Sequence, residues 1–401
     1  MSRRDLLRAA GWGSVAFGLG ACSPATTPRP VTPTPPGTPA PTPGVTPTPT
    51  STPSATSSPT PTIPLADRIA RLLVVGFRGT QLAEADWIAE AIADDGLGGV
   101  ILFSRDGMTR GPRNVESPQQ LRTLADDLRA LAVDRTLLVA IDQEGGRVAR
   151  LSPATGFPAF ASQAEIGTKD DSEVTEWATS IASTLAETGI NVNLAPVVDV
   201  DVNPRNPAIG ALDRSFSADP DVVTRLARHE IAAHRSAGVR TTLKHFPGLG
   251  SATVNTDYGV ADVTDTWSRR ELEPFHALIE TGDADCVMVG HLVNGQLDPG
   301  VPASLSAATV TGLLRGELGW DGPVITDDLQ AAAIRSAFGE DEAIALALEA
   351  GCDLLLLANQ QVYEPAIVTR TVQLVMRLVE DGRIAESRID ASFERVRAFA
   401  G

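Results

Sequence analysis

From Asp67 onward, short apolar runs rich in β-branched residues alternate with longer stretches whose apolar positions recur every three to four residues. The runs are Leu72–Phe77, Gly99–Phe103, Leu137–Ile141, Val192–Val198, Val239–Leu243, Cys286–Val289, Val324–Ile325 and Leu354–Leu357. Between them, Ser117–Leu131, Ser172–Thr188 and Asp219–Ala237 carry the period of amphipathic helices. Eight strand–helix units over this length predict a (β/α)8 barrel of the TIM type rather than an open doubly wound sheet. No repeat beyond this alternation is visible.

In such a barrel the chemistry sits at the C-terminal ends of the strands. Here Asp142-Gln143-Glu144-Gly145-Gly146-Arg147 follows the third run and Asp199-Val200-Asp201 the fourth. Lys244-His245 follows the fifth, His291 the sixth, Thr326-Asp327-Asp328 the seventh and Asn359 the eighth. One polar residue at a strand end is a turn former, but six consecutive polar ends on one rim predict a pocket. Rich in carboxylates, with a lysine, two histidines and no cysteine, it suits carbohydrate better than phosphate. The fifth end is the most distinctive, a β-branched run that breaks at Lys244-His245-Phe246-Pro247-Gly248. Lys244 is one of only two lysines, Lys169 being the other. A compact ammonium beside an imidazole suits hydrogen bonding to the hydroxyl groups of a ligand.

The N-terminal pattern is different. Paired arginines at Arg3 and Arg4 precede an apolar stretch from Ala9 to Ala21, which ends Leu19-Gly20-Ala21-Cys22. Charged segment, short apolar segment and small residues together predict an export signal over residues 1–21. The cysteine placed directly after them resembles a lipobox, so Cys22 is expected to carry a lipid. The paired arginines match a twin-arginine signal in part, because Asp5 follows them. The rest of residues 22–63 is almost entirely Pro, Thr, Ser, Ala and Gly, the composition of a disordered tether with polyproline character. Residues 64–401 then make one large domain with a sizeable core. No later segment is long and apolar enough to span a bilayer, so membrane contact is expected only through the N-terminal lipid.

The net charge is −17, and the acid excess behind it lies almost wholly in that domain, which argues against a nucleic-acid partner. Cys286 and Cys352 sit in apolar runs and read as buried thiols rather than a disulfide. His229-Glu230-Ile231-Ala232-Ala233-His234 looks at first like a zinc-protease motif. Its histidines are five apart, however, and point about 140° away from each other on a helix. They read as an exposed helix face. With no other metal-type spacing and no phosphate loop, no metal and no cofactor are expected.

The ordered motifs carry a resemblance. They are Gly98-Gly99-Val100-Ile101-Leu102-Phe103, Asp142-Gln143-Glu144-Gly145-Gly146-Arg147-Val148, Ala195-Pro196-Val197-Val198-Asp199-Val200 and Asp213-Arg214-Ser215-Phe216. Lys244-His245-Phe246-Pro247-Gly248, Val287-Met288-Val289-Gly290-His291, Pro302-Ala303-Ser304-Leu305-Ser306 and Val324-Ile325-Thr326-Asp327-Asp328-Leu329 complete the set. Together they resemble glycoside hydrolase family 3, in its single-domain branch of bacterial β-N-acetylglucosaminidases, over most of residues 64–401. The resemblance implies a retaining glycosidase with Asp327 as nucleophile. It implies that Asp142, Arg150, Arg214, Lys244 and His245 line the innermost sugar subsite, with His291 also on the substrate side. The substrate implied is a terminal, non-reducing β-linked sugar, N-acetylglucosamine first and glucose or xylose second. A monomer is expected.

One motif departs from the family. After Gly248, relatives carry an Asp–His pair that serves as acid/base, whereas Asn255 and Asp257 stand at those places here. Two outcomes stay open. Asp257 acts as the acid, its pKa raised by burial and by Asp327, with Asn255 positioning it. Alternatively Thr256-Asp257-Tyr258 is a solvated turn, and the protein hydrolyses slowly or only binds glycan. Asp262 is a second candidate acid. The segment Ala211-Leu212-Asp213 before Arg214 is also longer than the usual turn.

Overall fold

The computed structural model describes residues 63–256 and 259–401. The expected signal segment, Cys22, nearly all of the Pro/Thr-rich stretch and Asp257 lie outside the described residues.

Eight parallel strands form the barrel. They are β1 (Leu73–Gly76), β2 (Gly99–Leu102), β3 (Leu138–Ile141), β4 (Val192–Asn193), β5 (Arg240–Thr241 and Leu243–Phe246), β6 (Val287–Val289), β7 (Val324–Thr326) and β8 (Leu355–Leu357). Neighbours in sequence are neighbours in space. Val74 pairs with Gly99, Ala140 with Val192, Val192 with Arg240, Leu243 with Val287, and Val324 with Val287. Leu73 pairs with Leu355, and β7 reaches β8 through Ile325 and Leu354, with Thr326 N–H donating to Leu354 O at 3.0 Å. That contact closes the ring. Almost every strand residue is buried, because parallel strands have side chains on one face and helices on the other.

The helices Pro118–Leu131, Asp171–Glu187 and Pro220–Ser236 start where the sequence provides caps. Ser117 accepts from Gln120 N–H ahead of Pro118–Leu131, and Asp170 and Glu173 form a capping box at Asp171–Glu187. Asp219 caps Pro220–Ser236, with Pro220 in the first turn.

Three features differ from the sequence reading. The ladder of β4 stops at Asn193 although the apolar run continues to Val198, since Pro196 has no N–H to give. Leu194–Val198 still follows its neighbours, with Val198 N–H donating to Lys244 O at 2.8 Å. Lys244 and His245 do not follow β5 but belong to it, paired on one side with Val197 and followed by the Phe246–Val289 pair on the other.

The helix Pro220–Ser236 overturns a third expectation. Glu230 and His234 are fully buried, not exposed, while His229 is partly exposed. Val223, Ala227, Glu230 and His234 share the core-facing stripe, at the spacing that keeps residues on one helix face. His234 donates from Nδ1 to Glu230 O at 2.8 Å and accepts at Nε2 from Asn193 Nδ2 at 3.0 Å. Burial depresses its pKa to about 4, so the ring is neutral.

Candidate active site

The ends of β3 to β7 carry the polar residues. After β3 the chain turns back on itself as a hairpin, Gln143–Gly145 against Val148–Ala149. Gln143, fully buried, ties it down by accepting from Arg150 N–H and Leu151 N–H, both at 2.9 Å. Alternation along this extended segment sends Asp142 and Glu144 to the same side.

There they meet Lys244. Its ammonium donates to Asp142 Oδ1 at 2.9 Å and lies 2.7 Å from Glu144 Oε1. Arg150 holds the other Asp142 oxygen at 3.0 Å and stacks over Phe103, 5.3 Å from its centroid. Arg214 grips Glu144 with both ends of its fork, each bond 2.8 Å long, and gives a third to Ala208 O. Lys244 is 2% exposed and Glu144 1%, so these charges have left water for one another. Burial alone would raise both carboxyls. The cations outweigh it, holding Glu144 down to about 2 and Asp142 well below the usual carboxylate range. The same carboxylates raise Lys244 and Arg214 against the opposing effect of burial.

His245 continues the lattice. Its Nδ1–H donates to Asp199 Oδ2 at 2.7 Å, which leaves Nε2 as the acceptor facing Arg214 Nη2 at 3.4 Å. Asp199, fully buried after β4, also accepts from the backbone N–H of His245 and of Leu249. Three cations against two carboxylates, with the His245 imidazole beside them, make a rim of oriented donors and acceptors. Such a surface matches the hydroxyl groups of a sugar.

Asp327 ends β7 and is half-buried, its N–H bonded to Val289 O at 3.0 Å. One oxygen accepts from Asp328 N–H at 2.8 Å. His291 braces this turn from the end of β6. It lies 2.8 Å from Asp328 O through Nε2 and 2.7 Å from Ser304 Oγ through Nδ1. Both of its ring nitrogens are therefore engaged by the protein.

The loop after β5 begins under tight control. A Cβ on Gly250 would lie 1.7 Å from Val200 O, so only glycine fits this approach. Asn206 Nδ2 donates to Leu249 O and Gly250 O, Asn203 Nδ2 to Ala252 O, and Trp267 Nε1 to Pro247 O. Glu271 Oε2 accepts from Ser251 N–H at 3.2 Å. Further along, Asn255 is half-buried and its carbonyl accepts from Gly259 N–H. Asp262 is exposed, with Oδ1 accepting from both Thr264 N–H and Thr264 Oγ1–H. Those bonds lower its pKa, which suits a turn former and works against a general acid.

Sequence reading missed Glu144, Asp199, Ser304 and Glu271 as site residues. Glu144 was findable, since it stands two residues from Asp142 on an extended segment. Asp199 stood at a strand end already singled out. Among the described residues, no group of His, Cys, Asp and Glu is arranged to hold a metal ion.

Comparison with known proteins places these motifs. Residues 64–399 match the glycosyl hydrolase family 3 N terminal domain. A beta-hexosaminidase of Xylella fastidiosa strain M23 is 36% identical over 306 residues, covering 74% of this chain and 86% of that protein. Among solved structures, a β-N-acetylhexosaminidase of Beutenbergia cavernae aligns with a TM-score of 0.76 and 32% identity, over 85% of this chain and 99% of that one. A family 3 β-N-acetylglucosaminidase of Paenibacillus sp. strain FPU-7 gives 0.76 and 34% over 84% of this chain, which spans 62% of that longer protein. The chain therefore belongs to glycoside hydrolase family 3, as a glycosidase built on that family's barrel domain.

Proposed function

We propose that the protein removes a terminal, non-reducing β-linked sugar, N-acetylglucosamine first among candidates, by double displacement with retention. In this reading the hydroxyl groups of the sugar are held by Asp142, Arg150, Arg214, Lys244 and His245. The carboxylate of Asp327 attacks the anomeric carbon and forms the glycosyl–enzyme bond as the bond to the leaving oxygen breaks. Asp257, positioned by Asn255, gives that oxygen its proton and then takes one from the water that releases the sugar. The observation that carries the reading is the buried Asp142–Lys244–Glu144–Arg214 lattice, one strand end away from His291 and two from Asp327.

The same reading extends to the N-terminus. The chain is exported, Cys22 takes the lipid, residues 23–63 tether the barrel, and the enzyme works outside the membrane as a monomer on cell-wall or chitin-type oligosaccharide.

The test pairs a dinitrophenyl β-N-acetylglucosaminide, which needs little acid help, with chitobiose, which needs much. Cleavage of both, lost in Asp327→Ala, is the expected result. Cleavage of the aryl substrate alone removes the role given to Asp257. Cleavage of neither, with activity on aryl glucosides or xylosides, moves the specificity; inactivity on all of them leaves a glycan-binding protein.

A further inference from the structure

His291 stands at the end of β6, where a sugar-binding side chain is expected, yet it is only 3% exposed and engages the protein through both ring nitrogens. Nε2 lies 2.8 Å from Asp328 O, and a carbonyl oxygen can only accept, so Nε2 carries a hydrogen. In that tautomer Nδ1 is the acceptor, and the fully buried Ser304 Oγ–H, 2.7 Å away, is its donor. Ser304 lies in the turn Ala303–Leu305, which is strapped to the same strand end. Ser304 N–H donates to Gly290 O at 3.1 Å and Ala303 N–H to Leu292 O at 2.8 Å, so the two bonds flank His291 in sequence.

The carbonyl that His291 holds belongs to the residue that orients Asp327. Asp328 N–H donates to Asp327 Oδ1 at 2.8 Å, which fixes one oxygen of that carboxylate. Toward β8 the turn is tied by Leu329 N–H to Leu356 O and by Ala358 N–H to Asp328 Oδ1, both at 3.0 Å. Toward β6 it is tied by Asp327 N–H to Val289 O and by the His291 side chain. Ala331 N–H already donates to Asp328 O at 2.9 Å, so the backbone satisfies that carbonyl by itself. An apolar residue at 291 and alanine at 304 would leave it matched, and burying two polar side chains carries a desolvation cost. What the pair adds is a restraint from β6 on the residue whose N–H meets the nucleophile.

We propose that His291 and Ser304 are positioning residues for the nucleophile. Ser304 fixes the imidazole tautomer, the imidazole holds Asp328, and Asp328 N–H sets the Asp327 carboxylate for attack on the anomeric carbon. The inference rests on the proposed hydrolysis and deepens it, moving His291 from the sugar's side of the site to the nucleophile's. The Asp142–Lys244 lattice then binds the sugar without it.

The experiment uses the full chain and the dinitrophenyl glycoside it cleaves, the N-acetylglucosaminide first. It compares kcat/KM, which reports the steps through formation of the glycosyl–enzyme, with inhibition by the matching free sugar. The variants are His291→Gln, His291→Asn and Ser304→Ala. Glutamine places its amide nitrogen where Nε2 stands and keeps the bond to Asp328 O, whereas asparagine reaches only the Nδ1 position and loses it. His291→Asn is expected to lose about 10²-fold in kcat/KM, the order produced by a misplacement of about 1 Å. His291→Gln and Ser304→Ala are expected to lose about tenfold, with sugar inhibition unchanged in all three. Thermal unfolding checks that each variant is folded. Should His291→Asn not fold, Ser304→Ala carries the test, and a loss in kcat/KM at unchanged inhibition remains the expected result. Equal losses in the two His291 variants, weakened sugar inhibition in a folded variant, or no loss in Ser304→Ala overturn the inference while the hydrolytic reading stands. A wild-type protein that cleaves none of the aryl glycosides overturns both.

Discussion

Replacing Glu230 by glutamine is expected to stabilise the protein by an amount that grows with pH. The carboxyl is fully buried on the inner stripe of its helix, and neither oxygen has a hydrogen-bond partner among the described residues. Burial, with the Glu144 charge adding and the Lys244 ammonium opposing, pushes it from 4.5 up to about 8. Between those values the folded protein keeps a proton that the unfolded chain has released. Because the folded pKa is the higher one, stability is unaffected below 4.5, declines as pH rises, and levels off above 8. The slope is about 1.4 kcal/mol per pH unit, which accumulates to roughly 3 kcal/mol at neutral pH. Glutamine preserves the shape and cannot ionise, so the pH-dependent part disappears even though a buried amide remains. Urea unfolding of both proteins at pH 5, 6, 7 and 8 gives the difference directly. The gap should widen steadily from pH 5 to 8. A gap that stays constant across that range would show that Glu230 is not held protonated, and the reasoning from its burial would be wrong.

Two further outcomes follow from buried groups. Lys244→Met leaves Asp142 and Glu144 with only arginines to neutralise them, and should cost about 3–5 kcal/mol in chemical denaturation while weakening inhibition by N-acetylglucosamine. Burial raises the thiols of Cys286 and Cys352, the latter up to about 12, so iodoacetamide should label neither peptide in the native protein and both after denaturation.

The barrel was legible because each strand is a short apolar run between amphipathic helices, and such runs have few other ways to bury both faces. The rim was legible because polar residues ended run after run. Pairings across the rim were not. Nothing in the sequence says that Lys244 is shared between Asp142 and Glu144, or that Asp199 serves an imidazole and a loop at once, since both depend on which strand ends face each other. Glu230 and His234 misled for a different reason. Charged residues on a helix normally face solvent, and only the packing of Pro220–Ser236 shows that these two occupy the stripe set by Val223 and Ala227. The length of β5 was underestimated because Lys244 and His245 look like a strand's end, although their backbone continues the ladder.

Lys244 is sequestered between two carboxylates, which leaves Lys169 as the one side-chain amine open to reagents. Lys169 stands just before Asp170, the cap of Asp171–Glu187, and helices of this barrel begin at the end where the strands finish. Amine-reactive supports or dyes would therefore attach beside the mouth and obstruct it. Immobilisation through carboxylates, of which the chain has 50 from Asp and Glu, is the route that spreads attachment over the whole surface.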